Sequence, residues 1–226
     1  MRRLRYLCPM SRSTQREDHL KALYALGTRQ EDGSDWVSTN QMAAHLGVKP
    51  PSVTAMVQVL TELGWAEHRP YHGARLTHAG KTLALSLVRK HRLWETFLVD
   101  QLGFDWDEVH DIAEQLEHVD SVELVERLDA FLGHPTVDPH GDPIPKHDGT
   151  FHPQHEAMLL GQIDPAHNCV VTGVRGGDDG TLSALKERGI GLGSVLTAAD
   201  VSTFPEAWLE QLWVRPEPQN KTHEHG

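Results

Sequence analysis

The run Ser38-Thr39-Asn40-Gln41-Met42-Ala43-Ala44-His45-Leu46-Gly47-Val48-Lys49-Pro50-Pro51-Ser52-Val53-Thr54 decides how the N-terminal third of the chain folds. Ser38, Thr39 and Asn40 can each cap a helix, and Gly47 closes the short helix Gln41–Leu46 that follows. Val48 to Ser52 is a tight connection. Pro51 suits the first turn of a second helix, which runs to about Leu63 with Val53, Met56, Val57, Val59 and Leu60 inward before Gly64 stops it. A short helix, a turn and a longer helix make the pattern of a helix-turn-helix. A plain three-helix packing unit is the alternative. The second helix opens with Lys49 and Pro51 at its entry and then Ser52, Thr54, Ala55 and Gln58. These side chains are small or carry amides, and can approach base edges and phosphates.

Outward from this pair, the flanks extend the same reading. Downstream, Trp65–Arg69 and Ala74–Thr77 are short extended runs around the turn Pro70-Tyr71-His72-Gly73, which makes a β-hairpin. Behind a helix-turn-helix such a hairpin is a wing, with Arg69, His72 and Arg75 placed to touch a phosphate backbone. Upstream, Thr14–Gly27 reads as a first helix with Thr14 as N-cap and Glu17 three residues on, a capping-box spacing. Asp18 near its start is favourable charge at a helix N-terminus.

Composition sets bounds on the whole. The chain has 226 residues, 38% of them hydrophobic, and no run as long as a membrane span. Cys8 and Cys169 are far apart and imply a reducing cytoplasm in place of a disulfide framework. The net charge of −11 is uneven: residues 1–75 carry +3 and the remainder −14. Arg2, Arg3, Arg5 and Arg12 account for the positive excess, so the balance permits DNA without arguing for it.

The second half carries the metal chemistry. Thr77–Asp100 is a long helix on which His91 and Glu95 stand four residues apart, one edge for a cation. Val109-His110-Asp111-Ile112-Ala113-Glu114-Gln115-Leu116-Glu117-His118-Val119-Asp120 also reads as helical, with Ile112, Ala113, Leu116 and Val119 as its apolar stripe. His110, Glu114, Glu117 and His118 recur at three- and four-residue spacing and share one side. A divalent cation would satisfy that density of carboxylates and imidazoles, and a solvated charged face is the alternative. Carboxylates with imidazoles also serve metal-dependent hydrolysis, but no nucleophile or base motif accompanies them. Val122–Leu132 is a further helix, and the apolar surface left over on several helices points to a twofold dimer. His134, His140, His147, His152 and His155 fall in a Pro- and Gly-rich stretch with no common register, and read as polar surface. From Met158 to Val214, short runs such as Cys169–Val174 and Ser194–Thr197 punctuated by Gly read as a small β-domain.

Three motifs carry a resemblance: Arg89-Lys90-His91-Arg92-Leu93-x-Glu95, Val109-His110-Asp111 through Glu117-His118-Val119, and Asp138-Pro139-His140-Gly141-Asp142-Pro143-Ile144-Pro145. The chain resembles the diphtheria-toxin-repressor family of metal-dependent transcriptional repressors over nearly its whole length. The resemblance implies a mainly α fold with a small β part: an N-terminal winged helix-turn-helix, a helical dimerisation and metal-binding domain, and a C-terminal SH3-like β-barrel. The expected divisions are a flexible leader at 1–12, the DNA-binding domain at 13–77, and the dimerisation domain at 78–145. A linker at 146–157, the SH3-like domain at 158–215 and a disordered tail at 216–226 complete the chain. Carried over residue by residue, the primary metal site is Asp18, Glu114, Glu117 and His118. The ancillary site is His91, Glu95 and His110, with Asp178 or Asp179 as candidates from the SH3-like domain. Iron-responsive members place Met and Cys where this chain has Asp18 and Glu114, and carboxylates suit Mn²⁺ better than those softer donors. Short manganese regulators also use a Glu where Lys21 stands here, which favours a separate ancillary site over a closely spaced metal pair. The resemblance therefore implies a cytoplasmic, non-enzymatic homodimer that binds operator DNA, not membrane, with Mn²⁺ as cofactor and Fe²⁺ as the alternative. It also implies repression of metal-ion uptake genes.

Overall fold

The computed structural model describes residues 10–30, 33–152, 157–164, 167–174 and 180–217. Asp178, Asp179, Cys8 and His155 lie outside them, as do the expected leader up to residue 9 and the tail from residue 218. The chain separates into two compact units. One comprises the residues to His91 together with Leu116–Asp120 and Pro145–Thr150. The other comprises Arg92–Gln115, Ser121–Ile144 and the residues from Phe151 onward.

In the first unit, α1 (Met10–Gly27), α2 (Thr39–His45) and α3 (Pro50–Glu62) precede a hairpin of β1 (Ala66–Arg69) and β2 (Gly73–Leu76). Ser38 caps α2 with a full capping box: its hydroxyl accepts from Gln41 N, and the Gln41 side chain accepts from Ser38 N. Pro50 and Pro51 open α3, where the missing N–H groups cost no helical hydrogen bond. Leu20, Leu23, Val37, Met42, Val53, Val57 and Leu60 bury one another between the three helices and the hairpin. This is a winged helix-turn-helix. Val37 pairs with Ala74 of β2, so the wing has a third backbone neighbour. Gly73 adopts φ 101°, and a Cβ there would stand 2.1 Å from Val37 O, so only glycine allows the approach. Two expectations are corrected. Thr14 lies inside α1, which begins at Met10, and so does not cap it. Val59 is exposed on α3, because the inward face is set by Val53, Val57 and Leu60, with Met56 packed beside them.

Helix α4 (His78–Leu102) is the long helix, with Thr77 Oγ1 accepting from Gly80 N at its start. In the second unit its C-terminal half packs with α6 (Val122–Phe131), where Leu93, Val125, Leu128 and Ile144 form a small core. Helix α5 spans only His110–Leu116. The helix expected to reach Asp120 stops there, so Glu117 and His118 sit in the turn that follows. Tertiary contacts of these two side chains outweigh the helical register, and Ser121 then caps α6 through Leu124 N.

The C-terminal part contains β3 (Met158–Leu159), β4 (Cys169–Val174), α7 (Thr181–Glu187), β5 (Val195–Leu196), two single-turn helices, α8 (Ala198–Val201) and α9 (Glu206–Leu209), and β6 (Leu212–Pro216). The strands form one antiparallel sheet in the order β3-β6-β4-β5, with a bulge between Val171 and Gly173. Its core holds Leu160, Cys169, Val171, Leu185, Trp208 and Val214. This small SH3-like β-domain abuts the helices of its unit. Lys186 of α7 reaches Asp105 at 2.6 Å and Asp107 at 3.1 Å. A Cβ on Gly141 would stand 2.1 Å from Thr172 O.

Candidate metal centre

In the first unit, α1 and the turn after α5 bring donor atoms together. One atom each from Asp18, Glu117 and His118 lie within 4.8 Å of one another. His118 is held from both sides. Its Nδ1 is 2.6 Å from Glu17 Oε2 and its Nε2 is 3.4 Å from Asp18 Oδ1. If Nδ1 donates its proton to Glu17, Nε2 is the nitrogen left to ligate an ion beside Asp18. That is how a carboxylate orients a metal-ligating imidazole. Glu117 is 1% exposed, and Lys21 Nζ donates to both its oxygens at 2.8 and 2.7 Å. His91 Nδ1 lies 2.6 Å from Glu117 Oε2 and donates to it. Burial pushes the Glu117 carboxyl up, but the hydrogen bond from His91 and the charge of Lys21 outweigh it. The group stays below the usual carboxylate range. Two carboxylates and an oriented imidazole are a donor set of hard and borderline character, which fits Mn²⁺ or Fe²⁺.

The second unit has its own cluster. Glu95 is 2% exposed. His110 Nδ1 lies 3.4 Å from Glu95 Oε1, and His140 Nδ1 lies 3.6 Å from Glu95 Oε2. Asp138 Oδ1 accepts from the backbone N–H groups of His140 and Asp142 at 2.8 and 3.0 Å, while Arg92 reaches Asp138 Oδ2 at 3.5 Å. His140 Nε2 donates to Trp106 O at 2.7 Å, and the two rings stack. Burial alone would push His140 down. The hydrogen bond and charge of Glu95, with Asp138, outweigh it and raise the group to about 9, so its ring is a cation at neutral pH. Asp138 is raised by burial, reinforced by the charge of Glu95. The reading of His140 as polar surface is therefore corrected: it and Asp138 are buried.

The other expected residues are placed as follows. Glu114 is half exposed on α5 in the second unit, with Oε1 3.6 Å from His110 Nε2. His91 stands one turn before Glu95 on α4. On α3 and its entry, Lys49, Pro51, Ser52, Thr54, Ala55 and Gln58 are all exposed, as are Arg69 and His72 on the wing. Arg75 differs. It is bound to Glu67 Oε2 at 2.9 Å and to Asp35 at 3.4 Å, so its charge is spent within the wing. Glu17, Lys21, Asp138 and His140 are the neighbours that spacing did not reveal. The Asp138-Pro139-His140 motif was the available signal for the last two.

The description "Iron dependent repressor, N-terminal DNA binding domain" matches residues 12–74, and "Iron dependent repressor, metal binding and dimerisation domain" matches residues 77–146. An uncharacterised helix-turn-helix transcriptional regulator of Methanocaldococcus jannaschii is 34% identical over 116 residues, 51% of this chain and 90% of that protein. The chain belongs to the diphtheria-toxin-repressor family. The iron-dependent repressor IdeR of Mycobacterium tuberculosis is 36% identical over 129 residues, 57% of this chain. The match spans about half, 54%, of that curated relative's length. Among solved structures, a manganese-dependent transcriptional repressor in complex with manganese is 33% identical with a TM-score of 0.75, covering 89% of this chain and all of that one. The repressor ScaR with bound Zn²⁺ is 31% identical with a TM-score of 0.70, covering 88% of this chain and 98% of that one. Among the described residues no helix is long and apolar enough to cross a membrane.

Proposed function

We infer that this family member is a manganese-activated transcriptional repressor that binds operator duplex as a homodimer in the cytoplasm and governs metal-ion uptake genes. The observation that carries the metal preference is the pairing of Asp18 with Glu117 and an oriented His118. Within that trio the Asp18 oxygen stands where a softer thioether would favour iron. Asp18, Glu117 and His118 would hold the ion, and Glu114 is the fourth donor that the family resemblance supplies. His91, Glu95 and His110 are the proposed ancillary set. A bound divalent ion supplies charge that balances the Asp18 and Glu117 carboxylates. Asp18 then ties α1, which packs under the DNA-reading pair, to the turn holding Glu117 and His118. Glu17 keeps the imidazole lone pair aimed at that position, and Lys21 keeps Glu117 ionised. Exposed α3 side chains support duplex binding, and the exposed Val122, Phe131 and Leu102 support a partner copy. The role is one of binding, and no catalytic residue is assigned.

The second reading, an Fe²⁺-responsive repressor, is favoured by the iron-dependent repressors among the relatives. Titrating the metal-free protein on a duplex selected from a random pool separates the two. Mn²⁺ is expected to switch on binding at lower concentration than anaerobic Fe²⁺, and Asp18→Met is expected to reverse the order. A wild-type preference for Fe²⁺, or binding indifferent to metal, contradicts the reading.

A further inference from the structure

The wing is organised around one aromatic ring. Trp36 precedes the residue that pairs with β2, and the guanidinium groups of Arg69 and Arg75 both lie over its ring, at 4.8 and 4.9 Å from the centroid. His72 meets the same ring edge-on, with centroids 6.5 Å apart. The two arginines are not equivalent. Arg75 is neutralised by Glu67 and Asp35. Arg69 is exposed and has no ion-pair partner among the described residues. A guanidinium held over an aromatic face keeps N–H donors free for another partner, and the ring attraction restrains its position. An unpaired, pre-oriented guanidinium of this kind matches phosphate oxygens.

The turn above it holds a second unusual residue. Tyr71 is fully exposed and takes φ 65°, a left-handed conformation that a bulky side chain adopts at a cost. Nothing is buried by the tyrosine there. The turn is held from below by Gly73, which abuts the Val37 backbone, and by the Arg69 O to His72 N hydrogen bond at 3.2 Å. The strained residue is therefore presented outward from an anchored base.

We propose that Trp36 is a positioning residue that holds Arg69 ready for a DNA phosphate, and that Tyr71 at the wing tip makes a second contact with the same duplex. This rests on the DNA-binding reading above. The partner is the duplex backbone beside a groove, recognised by a flat cation and an adjoining aromatic ring. Arg75 contributes by anchoring the stack and makes no phosphate contact of its own.

The experiment measures duplex affinity of the Mn²⁺-loaded full chain across a salt series for the wild type, Trp36→Leu, Trp36→Phe, Arg69→Ala, the Trp36→Leu/Arg69→Ala pair and Tyr71→Gly. Arg69→Ala is expected to lose roughly tenfold in affinity and to lower the salt slope by about one phosphate contact. Trp36→Leu is expected to lose both, Trp36→Phe to recover them, and the double variant to add little, the signature of one shared interaction. Tyr71→Gly removes the backbone strain, so it should melt no lower than the wild type while binding duplex more weakly. Mn²⁺ affinity should be the same in every variant. Wild-type affinity and slope in Trp36→Leu, strictly additive losses in the double variant, or full duplex affinity in Tyr71→Gly would overturn the proposal. A wild type that binds no duplex with metal present would instead remove the DNA-binding reading on which it rests.

Discussion

The buried carboxylates Glu117, in the first unit, and Glu95, in the second, are matched by positive charge in different ways. Glu117 is matched by Lys21, whose ammonium holds both its oxygens. Glu95 is matched by His140, an imidazolium enclosed against Trp106. In the first unit the compensating charge comes from a lysine, and the nearby imidazole of His118 is held between Glu17 and Asp18. In the second, a histidine itself carries the compensating proton, and its other nitrogen is committed to a backbone carbonyl. The first arrangement is the one proposed above to receive a cation. The second is largely satisfied without one, and holds the Asp138–Asp142 loop beside the β-domain. A cluster of acids and histidines is thus not one kind of object. What distinguishes the two is which side chain carries the positive charge.

That contrast can be broken at its strongest point first. His118→Ala removes the oriented nitrogen and should lower Mn²⁺ affinity by more than the roughly 100-fold that loss of an outer-shell partner can cost. Equilibrium dialysis checks this, and His140→Leu in parallel should leave the first centre's affinity unchanged. Next come the compensating charges. Lys21→Met strands a buried carboxylate and should cost the metal-free protein about 3 kcal/mol, the lower end for one partner of a buried pair. Chemical denaturation measures it, and added Mn²⁺ should restore part of the loss. The comparison sharpens further with Glu17→Gln. It keeps the fold but loosens the imidazole, and should weaken Mn²⁺ binding roughly 10-fold, with an unchanged melt.

The smallest effect lies in the contact between α7 and the 105–107 segment. Burial pushes the Asp107 carboxyl up, but hydrogen bonds from Lys186 and Ser183 outweigh it and hold it below the usual range. A carboxyl depressed in the folded state stabilises above its unfolded pKa, near 4, and that contribution fades as pH falls through the lower folded value. Lys186→Ala should therefore lower the melting temperature slightly at neutral pH, with the difference vanishing in strong acid. A constant difference across that range would count against the contact.

Much of the N-terminal fold was legible because its signals are local. The Ser38–Gln41 box, the prolines opening α3 and the Gly73 turn each act within a few residues of chain. The C-terminal β-domain was visible only in outline. Strand β6 at Leu212–Pro216 has no alternation or turn signal to mark it, and it forms by pairing with β4 far upstream. The candidate centre was half legible. Helical spacing brought Glu117 and His118 forward as ligands but on a helix that ends at Leu116, because Lys21, His91 and Glu17 draw the two side chains into the first unit. Those partners lie up to 101 residues away, beyond what periodicity reports. Lys21 read as a missing ligand, whereas its ammonium is the counter-charge of the site. His140 read as surface because a Pro- and Gly-rich loop has no register to reveal burial.

The most direct test is anomalous scattering from a crystal of the full chain grown with Mn²⁺ and recorded at the manganese edge. The expected result is a peak within bonding distance of Asp18, Glu117 and His118 Nε2, with Glu17 still on His118 Nδ1. A manganese peak only at Glu95 and His140, or none touching Asp18, would contradict the assignment of the first centre.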